Sequence, residues 1–360
     1  MKVVYIFALA KRKQIYKIKL QNHNSHQMKA YSIKKYDKKG GLDLTNVPTP
    51  IIKDDEVLVE IHASGLNLLD VKIKSGEFKL ILPYKFPLIL GHDLAGVITK
   101  VGAKVARFKV GDEIYARVAD FRIGTFAEYI AVREDDVALK PKNLSMEEAA
   151  SIPLVALTAW QALVEKANLK KGQKVFIQAG SGGVGTIAIQ LAKHLGATVA
   201  TTASEKSFPM LKKLGADVLI DYKTQDFENI LRDYDLVLNS QDNKTLEKSL
   251  RVLKSGGKVI SISGPPTKDF AKEIGANWLV KTILSLVSFG IIKKAKKLNV
   301  DYFFLFMSAN GAQLKEITSL IEAEKIVPVV DKVFLFNQTN EALQYLGSGH
   351  AKGKVVVKVK

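Results

Sequence analysis

Gly180-Ser181-Gly182-Gly183-Val184-Gly185 is the segment that decides the fold, because it satisfies the glycine pattern G-x-G-x-x-G. It follows an apolar stretch, Lys174–Gln178, that reads as a short strand, and it opens an amphipathic helix predicted over Val184–Leu195. Glycines let a backbone turn tightly and approach a pyrophosphate, while the N-terminus of a helix offers free N–H groups. The segment therefore predicts a dinucleotide-binding loop, with a tight turn that holds no ligand as the alternative. The candidate cofactor-binding residues in it are Gly180, Gly182, Gly183 and Val184.

Beyond this loop, short apolar runs alternate with helix-like stretches. The strands predicted there are Thr198–Thr202, Val218–Ile220, Asp235–Asn239, Lys258–Ser263 and Tyr302–Met307. Parallel neighbours need crossover connections, which helices commonly supply. The alternation therefore predicts an α/β fold with a doubly wound parallel sheet of the Rossmann type.

The regions on either side of this sheet have a different pattern. Residues 28–150 contain short strands broken by glycine turns, which predicts a compact domain resembling a β-barrel. Residues 151–310 are then predicted to form the dinucleotide-binding domain. The strand-rich residues 311–360 are predicted to return to the first domain.

Composition limits the classes to which the chain can belong. It has 360 residues, 47% of them hydrophobic, which is enough for two domains with buried cores. It contains no cysteine, which excludes disulfides, thiolate-bound metals and a catalytic cysteine. Because this composition suits a reducing compartment, we predict a cytoplasmic protein. No run of about 18 uncharged apolar residues is present, so no transmembrane helix is predicted.

The net charge of +18 raises the question of a polyanionic partner. The lysines are spread along the whole chain, without a zinc-finger or aromatic RNA-binding motif among them. We therefore expect no specific nucleic-acid partner. A lysine-rich surface favours a polyanionic cofactor and leaves open a weak association with anionic membranes.

Residues 1–27 form a basic extension that differs from the rest of the chain. Its lysines and arginines are accompanied by no acidic residue, and it lacks the pattern of a secretory signal. Two interpretations stay open: an upstream start codon in place of Met28, or a basic organellar or membrane-associating extension. The first is favoured because a strand-forming domain start follows Met28 directly.

The end of the second strand of the predicted sheet indicates which dinucleotide is bound. Ala203 stands where NAD-binding enzymes carry the acid that holds the ribose. Ser204 and Lys206 follow it and supply a hydroxyl and a cation suited to a 2′-phosphate. Glu205 is a competing acid, although it lies past the expected end of the strand, and Tyr222 is a further candidate contact. The pattern favours NADPH over NADH.

Three further motifs, together with the glycine loop, resemble the medium-chain dehydrogenase/reductase superfamily. The six residues from Gly91 to Gly96 are similar to its characteristic turn. Pro153–Trp160 and His350–Val355 resemble its zinc-independent quinone oxidoreductase branch. The resemblance covers nearly all of residues 28–360, and it is closest to the enone and alkenal reductases of the plant chloroplast-envelope and fruit type.

This resemblance implies a GroES-like catalytic domain, a Rossmann domain and an active-site cleft between them. It also implies hydride transfer from NADPH, often in a homodimer. Zinc-dependent relatives carry a cysteine ligand where Asn67 stands here, whereas His92 matches a histidine ligand. One imidazole does not make the three-ligand site of a catalytic zinc, so no metal is expected and His92 is interpreted as a structural residue.

The resemblance also implies roles for individual residues. Lys72 falls where the enone reductases have a lysine, and it is the candidate catalytic residue, polarising the substrate oxygen or holding the cofactor. The further cofactor-binding residues implied are Asn67, Thr158, Ser240, Ser263, Gly264, Lys352 and Gly353. An apolar substrate pocket is expected from Pro265, Pro266, Trp278, Leu279, Phe303 and Phe304.

The predicted function is zinc-free, NADPH-dependent reduction of the C=C bond of small α,β-unsaturated carbonyl compounds. Such a substrate needs no Lewis acid, because hydride adds to the β-carbon and hydrogen bonds can hold the charge that moves to oxygen. Quinone reduction is the alternative within enzymes. A catalytically quiet NADPH-binding or RNA-binding protein is the alternative outside them.

Overall fold

The computed structural model describes residues 26–79 and 81–360. Within these ranges the chain forms a parallel sheet, a larger and mainly antiparallel sheet, and a small three-stranded sheet. The prediction for the basic extension falls outside them, except for His26 and Gln27. Gln27 already belongs to the first strand, β1 (Gln27–Ile33).

The parallel sheet is built from the region around and after the glycine loop. Its strands are β9 (Lys174–Ile177), β10 (Thr198–Ala203), β11 (Val218–Asp221), β12 (Tyr234–Asn239), β13 (Leu253–Ser261) and β14 (Asp301–Phe304). They lie in the order β11-β10-β9-β12-β13-β14, and each neighbouring pair is parallel. The direction of the chain across the sheet reverses between β9 and β12, where ligands bind beyond the carboxyl ends of the strands. The predicted α/β fold with a doubly wound parallel sheet is confirmed.

Helices pack against the parallel sheet and the larger sheet and connect their strands. They are α1 (Leu68–Ser75), α2 (Met146–Ala150), α3 (Pro153–Trp160), α4 (Gly183–His194), α5 (Phe208–Lys213), α6 (Phe227–Ile230), α7 (Asn243–Leu250), α8 (Lys268–Glu273), α9 (Trp278–Lys297), α10 (Gly311–Glu322) and α11 (Thr339–Gly347). A π-helix, Gln161–Lys166, continues α3. Short 3-10 turns span Asp120–Arg122, Glu134–Asp136, Glu205–Ser207 and Phe336–Gln338. In the described part of the chain, no helix is long and apolar enough to cross a bilayer.

Both faces of the parallel sheet are buried, which explains why its strands read as continuous apolar runs. Val175 and Ile177 of β9 belong to one apolar cluster, which also contains Leu191 of α4. Phe176, between them, belongs to a second cluster with Leu246 of α7. Successive side chains of a strand point to opposite faces, so these clusters lie on the two sides of the sheet.

The larger sheet is formed by strands from both ends of the described chain. They are β3 (Glu56–Leu66), β5 (Asp93–Val101), β6 (Glu113–Arg117), β7 (Tyr129–Arg133), β8 (Val137–Leu139), β15 (Val330–Leu335) and β16 (Lys354–Lys358). The order is β15-β16-β3-β5-β6-β8, and β7 also pairs with β3. In the small sheet, β1 lies between β2 (Asp43–Pro48) and β4 (Leu88–Ile89).

The C-terminal strand β16 runs antiparallel to β3, with Val355 opposite Leu66 and Val356 opposite Gly65. The end of the chain therefore contributes to the sheet that the N-terminal region begins. The domain boundaries at residues 150 and 310 remain predictions.

Candidate active site

The glycine loop lies at the carboxyl end of β9, where the strand order reverses. Gly182 is the N-cap of α4, and neither a capping side chain nor an acid occupies the first turn of that helix. A Cβ on Gly180 would lie 2.2 Å from Thr201 Oγ1, and one on Gly185 would lie 2.5 Å from Ala179 O. These close approaches require glycine, and the uncapped N–H groups of the helix fit a pyrophosphate.

Beneath the loop lies a layer of buried polar side chains that was not predicted from the sequence. Gln178, Asn239 and Ser261 stand at the carboxyl ends of β9, β12 and β13. Asn239 Nδ2 donates to Gln178 Oε1 at 2.7 Å, and Ser261 Oγ donates to Asn239 Oδ1 at 2.6 Å. All three side chains are buried, and their hydrogen bonds hold the strand ends in place. The available signal was that each is a polar residue ending an apolar run.

Three predicted cofactor residues lie on this layer. Ser240 is partly buried, and its hydroxyl donates to the carbonyl of Gln178 at 3.4 Å. Ser263 is exposed, whereas Gly264 is buried and its N–H donates to Ser261 Oγ at 2.8 Å. The structure therefore brings all three to the sheet edge that carries the glycine loop.

The residues predicted to hold a 2′-phosphate follow the carboxyl ends of β10 and β11. Ala203 and Asp221 are partners in the sheet, so Ser204 and Tyr222 come next on neighbouring strands. Ser204 is partly buried, whereas Lys206 and Tyr222 are exposed. Lys206 forms no ion pair within the described ranges, so its ammonium is available to a ligand.

The C-terminal segment meets the glycine loop directly. Gly353 N–H donates to Ser181 O at 2.7 Å, and Gly353 forms a parallel bridge with Gly182. Gly353 has a φ of +88°, and a Cβ there would lie 2.2 Å from Val329 O, so only glycine fits. Lys352 precedes it and is partly exposed. Lys352 and Gly353 therefore lie at the loop, at the junction of the two sheets.

Lys354, which was not among the predicted site residues, connects the glycine loop to a buried network in the larger sheet. A Cβ on Gly183, at the start of α4, would lie 2.9 Å from Lys354 Cδ. Lys354 Nζ donates to Asn67 Oδ1 at 2.5 Å and to Leu66 O at 2.8 Å. It also lies 3.4 Å from Asp93 Oδ2, to which Asn67 Nδ2 donates at 3.0 Å. We call Asn67, Asp93 and Lys354 the buried network. Val184, the next residue of α4, is partly exposed at the loop.

Burial governs the protonation of this network. Burial raises the pKa of Asp93, although the Lys354 ammonium acts in the opposite direction. Burial also lowers the pKa of Lys354, against the attraction of Asp93. Asp93 Oδ1 accepts the N–H of Leu154, in the first turn of α3, at 2.9 Å. The buried network therefore joins β5, β16, α3 and the start of α1, which Asn67 precedes.

His92 and Asp70 extend the buried network. His92 Nδ1 lies 2.6 Å from Asp70 Oδ1, and both side chains are fully buried. Asp70 Oδ2 accepts the N–H of Asn67 at 2.8 Å. His92 Nε2 has no hydrogen-bond partner within the described ranges.

These side chains do not fit a zinc ion. Asn67, at the position of the cysteine ligand, uses both of its amide atoms within the buried network. His92 is tied through Nδ1 to Asp70, and the chain has no cysteine. Over residues 26–79 and 81–360, no group of three His, Cys, Asp or Glu residues that could hold a metal ion is found. A catalytic zinc needs about three protein ligands, and this set does not provide them.

The two remaining predicted residues lie on helices beside the buried network. Lys72 lies on α1 and is partly buried, and its ammonium has no hydrogen-bond partner in the described part of the chain. Thr158 lies on α3, is 4% exposed, and donates through Oγ1 to Leu154 O at 2.7 Å. Lys72 is therefore free to bind a ligand, whereas the hydroxyl of Thr158 is engaged within its own helix.

The residues expected to form an apolar pocket differ in exposure, and Pro265, Pro266 and Phe303 are partly buried. Trp278 and Leu279, on the first turn of α9, are 76% and 51% exposed. Phe304 is buried and packs on Phe270, with ring centroids 5.0 Å apart. These residues are apolar as expected, but the fold places Phe304 in a core cluster and exposes Trp278 and Leu279 at the surface.

Comparison with known proteins gives matches over most of the chain. The alcohol dehydrogenase GroES-like domain matches residues 53–142, and the zinc-binding dehydrogenase family matches residues 214–357. NAD(P)H oxidoreductase RTN4IP1, mitochondrial, from Danio rerio is 37% identical and covers 92% of this chain and 91% of its own length. The 2-methylene-furan-3-one reductase of Solanum lycopersicum is 37% identical over 92% of this chain and 79% of its own length. The structure of the quinone oxidoreductase from Coxiella burnetii aligns with a TM-score of 0.81 and 30% identity, over 93% of this chain and all of that one.

The comparison corrects the predicted location. The Danio rerio relative is named as a mitochondrial protein, and this contradicts the prediction of a cytoplasmic one. The prediction was wrong because it rested on the absence of cysteine, which does not distinguish one reducing compartment from another.

The same findings confirm the predicted family, the two-part α/β fold and an oxidoreductase that uses a nicotinamide dinucleotide. The chain therefore belongs to the medium-chain dehydrogenase/reductase family, together with quinone oxidoreductases and enone reductases, and it lacks the catalytic zinc motif.

Proposed function

We propose that the chain reduces the C=C bond of small α,β-unsaturated carbonyl compounds, with NADPH as the hydride donor. The observation that carries the proposal is the free ammonium of Lys72, on the helix that Asn67 begins. Next to it, the side chains at the zinc-ligand positions are engaged with one another. Such a site offers a substrate oxygen a hydrogen-bond donor in place of a metal.

The chemistry follows from that donor. NADPH, when bound, supplies a hydride to the β-carbon of the substrate. As the hydride bonds to the β-carbon, the π pair of the C=C bond moves between the α-carbon and the carbonyl carbon, and the π pair of the carbonyl moves to oxygen. The Lys72 ammonium stabilises this enolate oxygen. A solvent proton then adds to the α-carbon, so the saturated carbonyl forms without a dedicated acid. Asn67, held by Lys354 and Asp93, fixes the start of α1 and so orients Lys72.

The proposed preference for NADPH rests on the rim beyond β10 and β11. Lys206 supplies an exposed cation, and Ser204 and Tyr222 supply hydroxyls, all suited to a 2′-phosphate. Ala203 ends β10, where an acid would instead bind an unphosphorylated ribose. Glu205, the competing acid, lies beyond the strand in a 3-10 turn and is exposed.

Quinone reduction is the second candidate function. The name of the Coxiella burnetii structure favours it. The tomato relative is named for a substrate whose methylene group is conjugated to a ketone, which favours reduction of the C=C bond. Both reactions use the same hydride donor and place negative charge on an oxygen, so Lys72 would serve either. A homodimer also remains a proposal.

The test is NADPH consumption by the full chain with a panel of enals, enones and quinones, and with NADH as the control. We expect the highest kcat/KM with an enone or enal and NADPH, and identification of the product as the saturated carbonyl. Faster turnover of quinones would transfer the proposal to the second candidate. No turnover with any member of the panel would contradict both.

A further inference from the structure

The helix α9 carries an apolar surface that remains uncovered within the described ranges. Its inner side is buried through Leu284, Ser288, Ile291 and Ala295. Its other side exposes large apolar side chains that we call the outer face: Trp278, Leu279, Ile283, Leu286, Val287 and Phe289, which are 48–76% exposed. A cluster of exposed large apolar side chains on one helix is typical of a contact surface, so the outer face indicates a partner.

The outer face changes character along the helix. Leu279, Leu286 and Lys293 follow one another at a seven-residue spacing, so they lie along one side of α9. The first part of this side is apolar, and its last turns carry the exposed lysines Lys293 and Lys297. Such a surface suits the edge of a membrane, where apolar side chains reach the acyl boundary and lysine ammonium groups meet anionic headgroups.

The lysines of α9 indicate which kind of partner fits the outer face. The 20 residues of α9 contain five lysines and no acid, and the whole chain has a net charge of +18. Lys294 pairs with Glu247 at 2.5 Å, whereas Lys293, Lys296 and Lys297 make no ion pair within the described ranges. A second copy of α9 would bring lysines against lysines or against apolar side chains, with no acid on the helix to meet them. An anionic lipid surface complements both parts of the outer face.

The packing of α9 keeps the outer face on the surface. Leu284 belongs to a buried cluster with Phe270 and Phe304, and Val280 and Ile81 pack against this cluster. The helix is thus fixed by its inner side, and it can present the outer face without local unfolding.

We propose that α9 docks on the surface of a membrane that contains anionic lipid. The helix lies in the plane of the interface, with the apolar side chains at the acyl boundary and the lysines at the headgroups. Trp278, at the start of α9, takes the interfacial position that tryptophan prefers.

The test is co-flotation of the full chain with vesicles of phosphatidylcholine alone or with about one third phosphatidylserine. The unmodified chain should float with the anionic vesicles and much less with the neutral ones. The fluorescence of Trp278, one of two tryptophans, should shift to shorter wavelength on binding, and a Trp160→Phe variant isolates that signal.

Two variants separate the apolar and the basic contributions. Leu286→Gln with Phe289→Gln should lower the affinity for anionic vesicles on the order of 100-fold, because both side chains lose their place in the interface. Lys293→Gln with Lys297→Gln should lower it roughly 10- to 30-fold. The matched controls, Val110→Gln for an exposed apolar residue elsewhere and Lys212→Gln with Lys213→Gln for a lysine pair elsewhere, should lower it less than about threefold.

Each alternative outcome would overturn the proposal. Failure of the unmodified chain to bind anionic vesicles at low ionic strength would do so. Equal losses in the α9 lysine pair and the control lysine pair would show that the net charge alone is responsible. A changed oligomeric state of the Leu286 and Phe289 variant, with unchanged vesicle binding, would make the outer face a protein contact. Circular dichroism and retained NADPH consumption would verify that each variant is folded.

Discussion

Two charged regions of the candidate active site are built in opposite ways. The buried network holds Lys354 and Asp93 at 5% and 0% exposure, with each polar group committed to another. The rim beyond β10 and β11 holds Lys206 in the open, with no ion pair in the described part of the chain. A buried charge must be matched by the fold, whereas an exposed one is left for a ligand. Changes in the first region should therefore alter stability, and changes in the second should alter binding.

The largest expected effect is that of Lys354→Met. This change leaves Asp93 buried without its cation, so the free energy of unfolding should fall by about 3–5 kcal/mol. Chemical denaturation measures it. Adding Asp93→Asn keeps an acceptor for the Leu154 N–H and removes the unmatched charge, so the double variant should recover most of the loss. A single variant as stable as the unmodified chain would show that the two regions do not differ in this way.

Lys72→Met should give the next largest effect, and it acts on turnover. Loss of the hydrogen-bond donor to the developing oxyanion should lower kcat by about 100-fold, while stability and the Kd for NADPH change little. Lys79→Met is the matched control, because Lys79 is an exposed lysine soon after the same helix. Steady-state kinetics with the best enone distinguishes them. Equal kcat values for the two variants would show that Lys72 has no catalytic role.

Lys206→Ala tests the exposed rim. The Kd for NADPH should rise about tenfold, because a charge-assisted hydrogen bond to the 2′-phosphate is lost, and the Kd for NADH should stay the same. Lys213→Ala, another exposed lysine of the parallel-sheet region, is the control. Fluorescence titration with both dinucleotides measures the effect. An unchanged Kd for NADPH would remove Lys206 from the proposed site.

The smallest effect is expected from Asp226, which pairs with Lys248 at the surface of the parallel-sheet region. Hydrogen bonding to Lys248 holds the pKa of Asp226 below its ordinary value of 3.8. A carboxyl with a lowered folded-state pKa stabilises the protein above the unfolded pKa, and the contribution disappears as pH falls through the folded pKa. Asp226→Asn should therefore cost about 0.5 kcal/mol or less at neutral pH, and less still at a pH well below 3.8. Chemical denaturation at both pH values checks this. A loss of stability as large as that of Lys354→Met would show that buried and exposed charges do not differ in their effect on the free energy of unfolding.

The sequence predicted the strands of the parallel sheet correctly, but it predicted the residues at which those strands end less accurately. β10 extends one residue beyond its predicted end, to Ala203, because its pairing with β11 continues to Asp221. The last strand was predicted to reach Met307 but ends at Phe304. Met307 is buried in the core without belonging to a strand, and an apolar run does not reveal that difference.

Part of the candidate site was likewise predicted from the sequence, and part of it was missed. The glycine loop and the rim residues were found because local patterns define them. Lys354 was missed, although its neighbours Lys352 and Gly353 were identified, since a lysine at the start of an apolar strand usually has its ammonium in solvent. Trp278 and Leu279 were assigned to a pocket because hydrophobic spacing does not show which apolar face is covered.

The sequence by itself determined the strand–loop–helix unit around Gly180–Gly185 and the alternation that produces a parallel sheet. These depend on residues that are close in the chain, where glycine conformation and periodicity act locally. Only the tertiary structure decided that Lys354 meets Asn67, 287 residues away, and that α9 keeps an apolar face outside. The physical reason is that the partner of a buried charge and the covering of an apolar face are fixed by packing between distant segments, which no local pattern specifies.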